Sequence, residues 1–438
     1  MEKQIEPRLL KGFRDFLPQM ELFRRQIMRK LEKIFRLFGF LPIDTPVLEY
    51  AEILLGKGGG ETDKQVYRFH DHGQRDIALR YDLTVPFARF MAQHLNELAL
   101  PFKRYHIGKV WRGENTQRGR YREFTQIDFD IVGVDSASAD FEILLLMFRS
   151  MAALGIEKFK IHFFHRGLYN NLLKHIGLEK KSIDILRAID KSKKIGKENV
   201  AGLLKECGCG DHIERILSFI QPGVNFNETL ENITAQIGSD SQEITRLHDI
   251  QQCIADMGLD NFFLLDPAIT RGLDYYTGIV YETFLTDIPQ IGSVCSGGRY
   301  NNLASLYTRA KLPGVGSSIG LDRLIAALEE LKLLKEITET ISTPLLILFL
   351  DQNLLSYYHQ LAAAFHERGI AAEVFPVKKK LSAQFNYAQK KSIPLALICG
   401  ELEMEKGSVT IKDLRSRQSY ENLILEQAIA KVTELSPG

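Results

Sequence analysis

The sequence predicts an α+β core with a helical insertion, followed by a smaller α/β domain. Three observations predict it. Helices alternate with strands and hairpin signals from Gly12 to about Ser150. Short amphipathic helices without motifs fill the stretch from about Lys174 to Asn261. Beyond residue 344, apolar strand runs alternate with helices at the spacing of an α/β unit. A chain of 438 residues is long enough for two or three domains. Its 45% hydrophobic and 25% charged content excludes disordered and fibrous classes.

In chain order, LFRRQIMRKLEKIFRLFGF places Leu22, Ile27, Leu31, Ile34 and Leu37 at helical spacing and stops at Gly39, suited to a C-cap. LPIDTPVLEY is a short extended piece broken by Pro42 and Pro46. GKGGGET, beginning at Gly56, lacks the GK[ST] ending of a phosphate-binding loop and reads as a hairpin loop. In RYDLTVPF, a helix is expected near Pro86, with Asp82 and Thr84 just ahead of it, as a cap motif would place them. Residues 110–133, VWRGENTQRGRYREFTQIDFDIVG, read as a hairpin. Its second strand splits by period two, with Thr125, Ile127, Phe129 and Ile131 on one face and Phe124, Gln126, Asp128 and Asp130 on the other. His162 and His165 sit in an apolar strand, KIHFFHR, with no HExxH around them, and read as structural residues.

Helices such as SIDILRAIDKSKKIGKENVAGLLKECG and DSQEITRLHDIQQCIADMG then build the insertion. Strand character returns at Phe262, holds to about Ile319, and leads into the helix LDRLIAALEELKLL. KEITETISTP is a polar bridge to the tail. The tail reads as LLILFL, a helix to Arg368, AAEVFP, the basic helix KKKLSAQFNYAQKK, LALICG, SVTIKDL and a last helix. That pattern predicts a largely parallel sheet.

Lys+Arg 56 against Asp+Glu 55 leaves a net charge of +1, so any basic surface is local. Cys207, Cys209, Cys253, Cys295 and Cys399 have no zinc-ribbon spacing, and reduced thiols of a cytoplasmic protein are expected. MEKQIEPRLL has no apolar core of a signal peptide, and no apolar run reaches membrane-spanning length. A cytoplasmic protein with no membrane partner is the expectation.

The chemistry concentrates in the hairpin. Arg112, Arg118, Arg120 and Arg122 crowd one loop with Glu114 and Glu123. A half-exposed strand with its polar face in water accounts for the alternation; an anion-binding cleft accounts for the alternation and the arginines. Arginine suits phosphate because its planar fork donates two parallel hydrogen bonds and stays charged. Phe124 offers a surface for a base, and Gln126 with Asp130 would suit a small partner carrying N–H donors. GVGSSIGLDRLIAAL adds small residues before a helix with Arg323 in its first turn, where an anion would meet backbone N–H groups and a guanidinium. RGLDYYTG sets Arg271, Tyr275 and Tyr276 just ahead of the strand run IVYETF. Polar atoms there cost free energy without partners.

Along essentially its whole length the chain resembles the histidyl-tRNA synthetases, a family of class II aminoacyl-tRNA synthetases. KGFRDFLP and TPVLE look like its opening segment and motif 1, WRGENTQRGRYREFTQIDFDI like motif 2, and GVGSSIGLDRL like motif 3. RGLDYYTG and CSGGRY look like the stretches particular to the histidine enzymes, and LRYDLTVPFAR matches the form in one branch. The resemblance implies a class II catalytic core over about 1–335, an antiparallel sheet flanked by helices, with the helical insertion at about 174–261. An anticodon-binding α/β domain would span 344–438. It implies activation of L-histidine with ATP and Mg²⁺ to histidyl-adenylate, transfer to the 3′ end of tRNA(His), and a homodimer formed through motif 1.

Family contacts to histidine carry over to Asp82, Thr84, Arg112, Gln126, Asp130, Arg271, Tyr275 and Tyr276; contacts to ATP to Arg112, Glu114, Arg120, Phe124 and Arg323. Arg271, Arg112 and Gln126 would carry the catalytic step, Arg271 reaching the substrate carboxylate and the α-phosphate together. Arg118 and Arg122 would approach the acceptor end of the tRNA, and Lys378, Lys379 and Lys380 the anticodon arm. Glu114 would be an indirect Mg²⁺ ligand. Departures are small: Asn301 and Asn302 follow GGRY where the family usually has an acidic residue, and Asp82 and Asp130 are shorter than the glutamates of some relatives. Two rival readings are a non-catalytic, histidine-sensing regulatory subunit of ATP phosphoribosyltransferase and an acyl-adenylating enzyme with no RNA substrate. The arginines of motifs 2 and 3 weigh against the first and the tail domain against both.

Overall fold

The computed structural model describes residues 5–56, 65–191, 196–270, 276–333 and 343–436. Residues 57–62 of the glycine-rich stretch, Arg271 and Tyr275, and most of the polar bridge after residue 334 lie outside the described residues. The chain divides into two compact units, Met1–Ile337 and Thr338–Gly438.

Strands of the first unit are β1 (Leu41–Pro42), β2 (Leu48–Tyr50), β3 (Arg68–His70), β4 (Asp76–Leu79), β5 (Phe102–Trp111) and β6 (Glu123–Val132). They continue with β7 (Phe159–His165), β8 (Phe263–Leu265), β9 (Ile279–Leu285), β10 (Cys295–Arg299) and β11 (Gly314–Gly320). One eight-stranded sheet runs β1-β5-β6-β11-β10-β9-β7-β8, and β2, β4 and β3 make a small second sheet. Pairing in the large sheet is antiparallel except at its two edges, where β1 joins β5 and β8 joins β7 in parallel.

Period-two alternation sets the two faces of this sheet. Phe35, on the helix Pro18–Leu37, packs on Tyr105 of β5 and Phe129 of β6 at ring distances of 5.5 and 5.1 Å. Ile127 and Ile131 are buried with them in the main core. The opposite face of β6 carries Gln126, Asp128 and Asp130, and these too are buried. A strand with its polar face in bulk water is therefore excluded; β6 lies inside the sheet between β5 and β11, and Thr125 to Val132 are buried.

Between β7 and β8 run the helices Arg166–His175, Ser182–Asp190, Lys197–Glu206, Ile213–Phe219, Phe226–Ile237 and Gln242–Asp256. The side chains of Asn225 and Ser241 cap the last two by accepting from Glu228 N and Ile244 N. Leu186, Leu204, Ile233 and Leu247 of these helices join the same buried cluster as the sheet residues. Both histidines of β7 are structural: His162 Nδ1 lies 2.6 Å from Asp266, and His165 Nδ1 accepts from Gly167 N.

The second unit holds β12 (Leu345–Ile347), β13 (Ala372–Val374), β14 (Leu395–Ile398), β15 (Val409–Asp413) and β16 (Ser419–Leu423), in the order β13-β12-β14-β15-β16. Only the β12–β13 and β12–β14 pairs are parallel; β14–β15 and β15–β16 are antiparallel. The expected largely parallel sheet is thus half antiparallel, because β15 runs against β14 and β16 returns on β15 as a hairpin. Its sequence, SYENL, is too polar to announce a strand. What makes it one is the turn before it, where the Asp413 carboxylate accepts from the backbone N–H of Arg415 at 2.8 Å and Arg417 adopts φ +63°. Buried Gln384 ties the helix Leu381–Lys390 to the sheet, exchanging two 2.8 Å hydrogen bonds with the backbone of Phe349. Among the described residues no helix is long and apolar enough to cross a membrane.

Candidate active site

A cleft of about 290 Å³ opens over the polar face of β6. Asp82, Thr84, Arg112, Gln126, Asp130 and Tyr276 line it, together with Glu114, Arg120, Phe124 and Arg323. These residues come from four separate segments of the chain: 82–84, the hairpin 112–130, Tyr276 and Arg323. Arg271 and Tyr275, expected in the same group, lie outside the described residues.

Arg112 directly follows β5, and its position is set by backbone acceptors. Its Nε donates to the Tyr81 carbonyl at 2.8 Å, and its guanidinium lies 5.2 Å from the Phe124 ring centroid. A longer contact, 3.4 Å, joins its Nη2 to Gln126 Oε1. Gln126 donates from Nε2 to Ser318 Oγ at 2.6 Å and to Asp128 at 3.2 Å, so its amide is oriented from both sides. Arg323, in the first turn of the helix Leu321–Glu330, donates to the Ser293 carbonyl at 2.7 Å. The motif 2 loop closes tightly at Gly119, which has φ +71° and lies so near Arg323 that a Cβ would come within 3.1 Å of its Cα. Glu114 and Arg120 face each other at 3.5 Å across that loop.

The floor is acidic. Asp82 accepts from Val85 N at 3.0 Å, so it holds the start of the helix Thr84–Gln93 as well as lining the cleft. Burial pushes its carboxyl up to about 6, against the pull of that hydrogen bond and of Arg112. Asp130 accepts a 2.5 Å hydrogen bond from the Tyr300 hydroxyl and pairs with Arg104 at 2.7 Å. Burial still raises it to about 7, with Arg104 the main opposing influence. Asp128 is raised for the same reason. Gly316 of β11 is a steric requirement here, since a Cβ would collide with the Asp130 carboxylate. Carboxylates raised by burial and gathered in one cleft make that cleft the candidate site.

Other expected residues sit elsewhere. Arg118 is 63% exposed, pairs with Glu330 at 2.9 Å, and lines a neighbouring hollow with Arg14 and Arg24. Arg122 donates to the Glu114 carbonyl and packs against Gly12. Lys378, Lys379 and Lys380 are exposed in the second unit, ahead of the helix Leu381–Lys390. Asn301 after GGRY takes part in an ion cluster: it donates to Asp135 at 2.7 Å and accepts from Arg299, which itself clasps buried Asp140.

Sequence reasoning missed Tyr300, Ser318, Arg104 and the site role of Asp128. Tyr300 closes the CSGGRY stretch, whose significance was legible although no side chain in it was singled out. Arg104 and His106 alternate along FKRYHIGKVW, but only the β5–β6 register, Arg104 opposite Asp130 and His106 opposite Asp128, shows what they face.

Chemically, the cleft joins guanidinium groups and an aromatic ring, suited to a nucleotide phosphate and base, to a carboxylate floor, suited to an amine-bearing partner. A histidyl-tRNA synthetase family model matches residues 12–324, and an anticodon binding domain model matches residues 344–435. The histidine–tRNA ligase of Treponema denticola is 48% identical, with 99% of each chain covered. The crystal structure of histidyl-tRNA synthetase from Nostoc sp. PCC 7120 superposes with a TM-score of 0.85 at 28% identity, covering 98% of this chain and 100% of that one. An ATP phosphoribosyltransferase regulatory subunit/histidyl-tRNA synthetase from Bacillus halodurans C shares the fold, at a TM-score of 0.74, 22% identity, and coverage of 88% and 97%.

Proposed function

The chain belongs to the histidyl-tRNA synthetase family and carries out its reaction, the ATP-dependent ligation of histidine to tRNA; from that premise we propose how the cleft divides the work. The observation that carries the reading is the convergence, on one cleft, of guanidinium, aromatic and carboxylate side chains from four separate segments.

ATP lies along the arginine side. Phe124 stacks on the adenine, and Arg112, Arg120 and Arg323 hold phosphate oxygens; the forks of Arg112 and Arg323 are already oriented by backbone carbonyls. Histidine lies on the floor. Asp82 and Thr84 take its ammonium, Gln126 its carboxylate region, and Asp130 and Tyr276 its imidazole. Buried partners that pair only with an imidazole exclude apolar analogues, which would leave them unpaired. Arg271, assigned from the resemblance, bridges substrate carboxylate and α-phosphate.

The carboxylate then attacks the α-phosphorus in line, pyrophosphate leaves, and the terminal ribose hydroxyl of the tRNA attacks the adenylate carbonyl. Positioning and preorganised positive charge do most of this chemistry. Mg²⁺ would neutralise the phosphates. Glu114, which lines the cleft, would be an indirect ligand of that ion.

The tRNA is tRNA(His), with Arg118 and Arg122 at its acceptor end and Lys378 to Lys380 at its anticodon arm. The protein works in the cytoplasm as a homodimer. Exposed apolar side chains at Leu41, Leu48, Tyr50 and Phe69 support a partner on the motif 1 face. Exchange between pyrophosphate and ATP tests the assignment. Histidine alone among the amino acids should support it without tRNA, and charging should follow on adding tRNA. Exchange with another amino acid, or none at all, overturns it.

A further inference from the structure

The three carboxylates at the cleft floor, taken alone, carry more negative charge than one ligand ammonium cancels. Asp82, Asp128 and Asp130 are all buried, and each influences the ionisation of another. Against them stand Arg112 on the wall and Arg104 beneath. Arg104 is 0% exposed and does not line the cleft, so it touches no substrate. It stands directly across the β5–β6 ladder from Asp130, with Nη2 2.7 Å from Oδ2. Its guanidinium lies 4.1 Å from the centroid of the Phe87 ring, and the same Nη2 reaches the Leu83 carbonyl at 3.4 Å. Nε and Nη1 have no hydrogen-bond partner among the described residues. A fully buried guanidinium with two unsatisfied nitrogens is costly, and packing alone gives no reason to keep it.

We propose that Arg104 is a positioning residue for the amino-acid half of the cleft: it pins Asp130 and cancels one floor carboxylate, so that the remaining charge matches a single ligand ammonium. The proposal rests on the reading that histidine occupies this floor. With all three carboxylates ionised, Arg112 and Arg104 leave one surplus negative charge on the floor; without Arg104 two are left. Asp130 would then shed its surplus by taking a proton and would lose an acceptor for the imidazole. The groups facing Asp130 are Arg104 from β5, Asp128 on its own strand, Asp82 from the loop, Tyr281 from β9 and Tyr300, while His106 stands opposite Asp128. His106 does not take the place of Arg104, because burial, the largest influence, and Arg80 hold its ring down, and its Nε2 is engaged by Asp44 at 3.0 Å. Lysine would keep the charge without the flat face that lies on Phe87.

The test compares Arg104→Met, Arg104→Lys, Asp128→Asn and the Arg104→Met/Asp128→Asn double variant in the full chain. The readout is histidine-dependent exchange between pyrophosphate and ATP across pH. Arg104→Met should raise the histidine KM roughly tenfold or more while the ATP KM stays within about threefold. The acid limb of kcat/KM for histidine should move up by about one pH unit or more, since Asp130 needs a higher pH to ionise. Adding Asp128→Asn should recover a large part of the loss, because it removes the same surplus charge. Arg104→Lys should fall between the parent and Arg104→Met, with its acid limb near the parent's. Equal rises in both KM values, an unmoved acid limb, or no recovery in the double variant overturns the proposal.

If Arg104→Met fails to fold, Arg104→Lys decides: a histidine-specific KM rise supports the positioning role, and its absence overturns it. No histidine-dependent exchange in the unsubstituted protein instead overturns the underlying reading, and the proposal with it.

Discussion

Asp322 is the point where the N-terminal segment, the first helix, strand β6 and the helix bearing Arg323 are joined. Its carboxylate accepts from Arg24 Nη1 at 2.8 Å and from the Thr125 backbone N–H at 2.9 Å, and it pairs with Arg14. Replacing it by alanine removes two buried charge-assisted hydrogen bonds, each contributing about 1.5–3 kcal/mol. Leaving one partner of a buried ion pair unpaired costs about 3–5 kcal/mol. Arg24 keeps a 2.9 Å hydrogen bond to Thr125 Oγ1 and lies 3.9 Å from the Phe16 ring centroid, so the low end applies. Asp322→Ala should therefore lose about 3 kcal/mol, and Asp322→Asn, which keeps shape and an acceptor, about half as much. The chain has one tryptophan, Trp111, whose Nε1 donates to Glu123 at 3.0 Å in the same unit. Its fluorescence in a urea titration reports the unfolding of that unit. A loss below about 1 kcal/mol for Asp322→Ala would refute the argument, because the junction would then be a solvent-like surface pair. Since Asp322 precedes Arg323 and holds the residue before Gln126, the folded Asn variant should also show a raised ATP KM.

Tyr300→Phe removes the 2.5 Å hydrogen bond to Asp130 and should raise the histidine KM roughly ten- to hundredfold, with little change for ATP; equal changes would count against it. Asp130 is raised to about 7 in the fold against an unfolded value of about 3.9. The folded state therefore holds the extra proton, and this group's contribution to stability is full below about pH 4 and lost as pH rises through about 7. Asp130→Asn should accordingly gain stability relative to the parent between about pH 5 and about pH 8, and a constant difference in urea titrations would sink the idea. Charge reversal at Lys378 to Lys380 should raise the tRNA KM and leave pyrophosphate exchange alone; damage to both would contradict the division between units. Burial holds the Cys295 thiol up at about 12, so alkylation at neutral pH should spare it, as peptide mass mapping would show.

Period-two alternation in EFTQIDFDIV was enough to separate a helix-facing side from a polar side, because neighbouring side chains on a strand must point oppositely. It did not reveal that the polar side is buried, since its partners there, Tyr300 on Asp130 and Ser318 on Gln126, lie 170 and 192 residues away in the chain. The helical texture of the insertion and the histidines of β7 were equally plain. β16 was not, because an edge strand held by a turn needs no apolar pattern.

By itself, then, the sequence determined the chemistry on offer: which segments carry guanidinium, carboxylate and aromatic groups, and which family pattern they follow. Local spacing fixes those, since a motif is a run of neighbours. Tertiary structure alone decided that Arg104 faces Asp130, that Tyr300 holds it, and that three carboxylates share one dry floor. Register, close approach at Gly316 and burial are relations between distant segments, and burial is what turns ordinary aspartates into groups that titrate near neutrality.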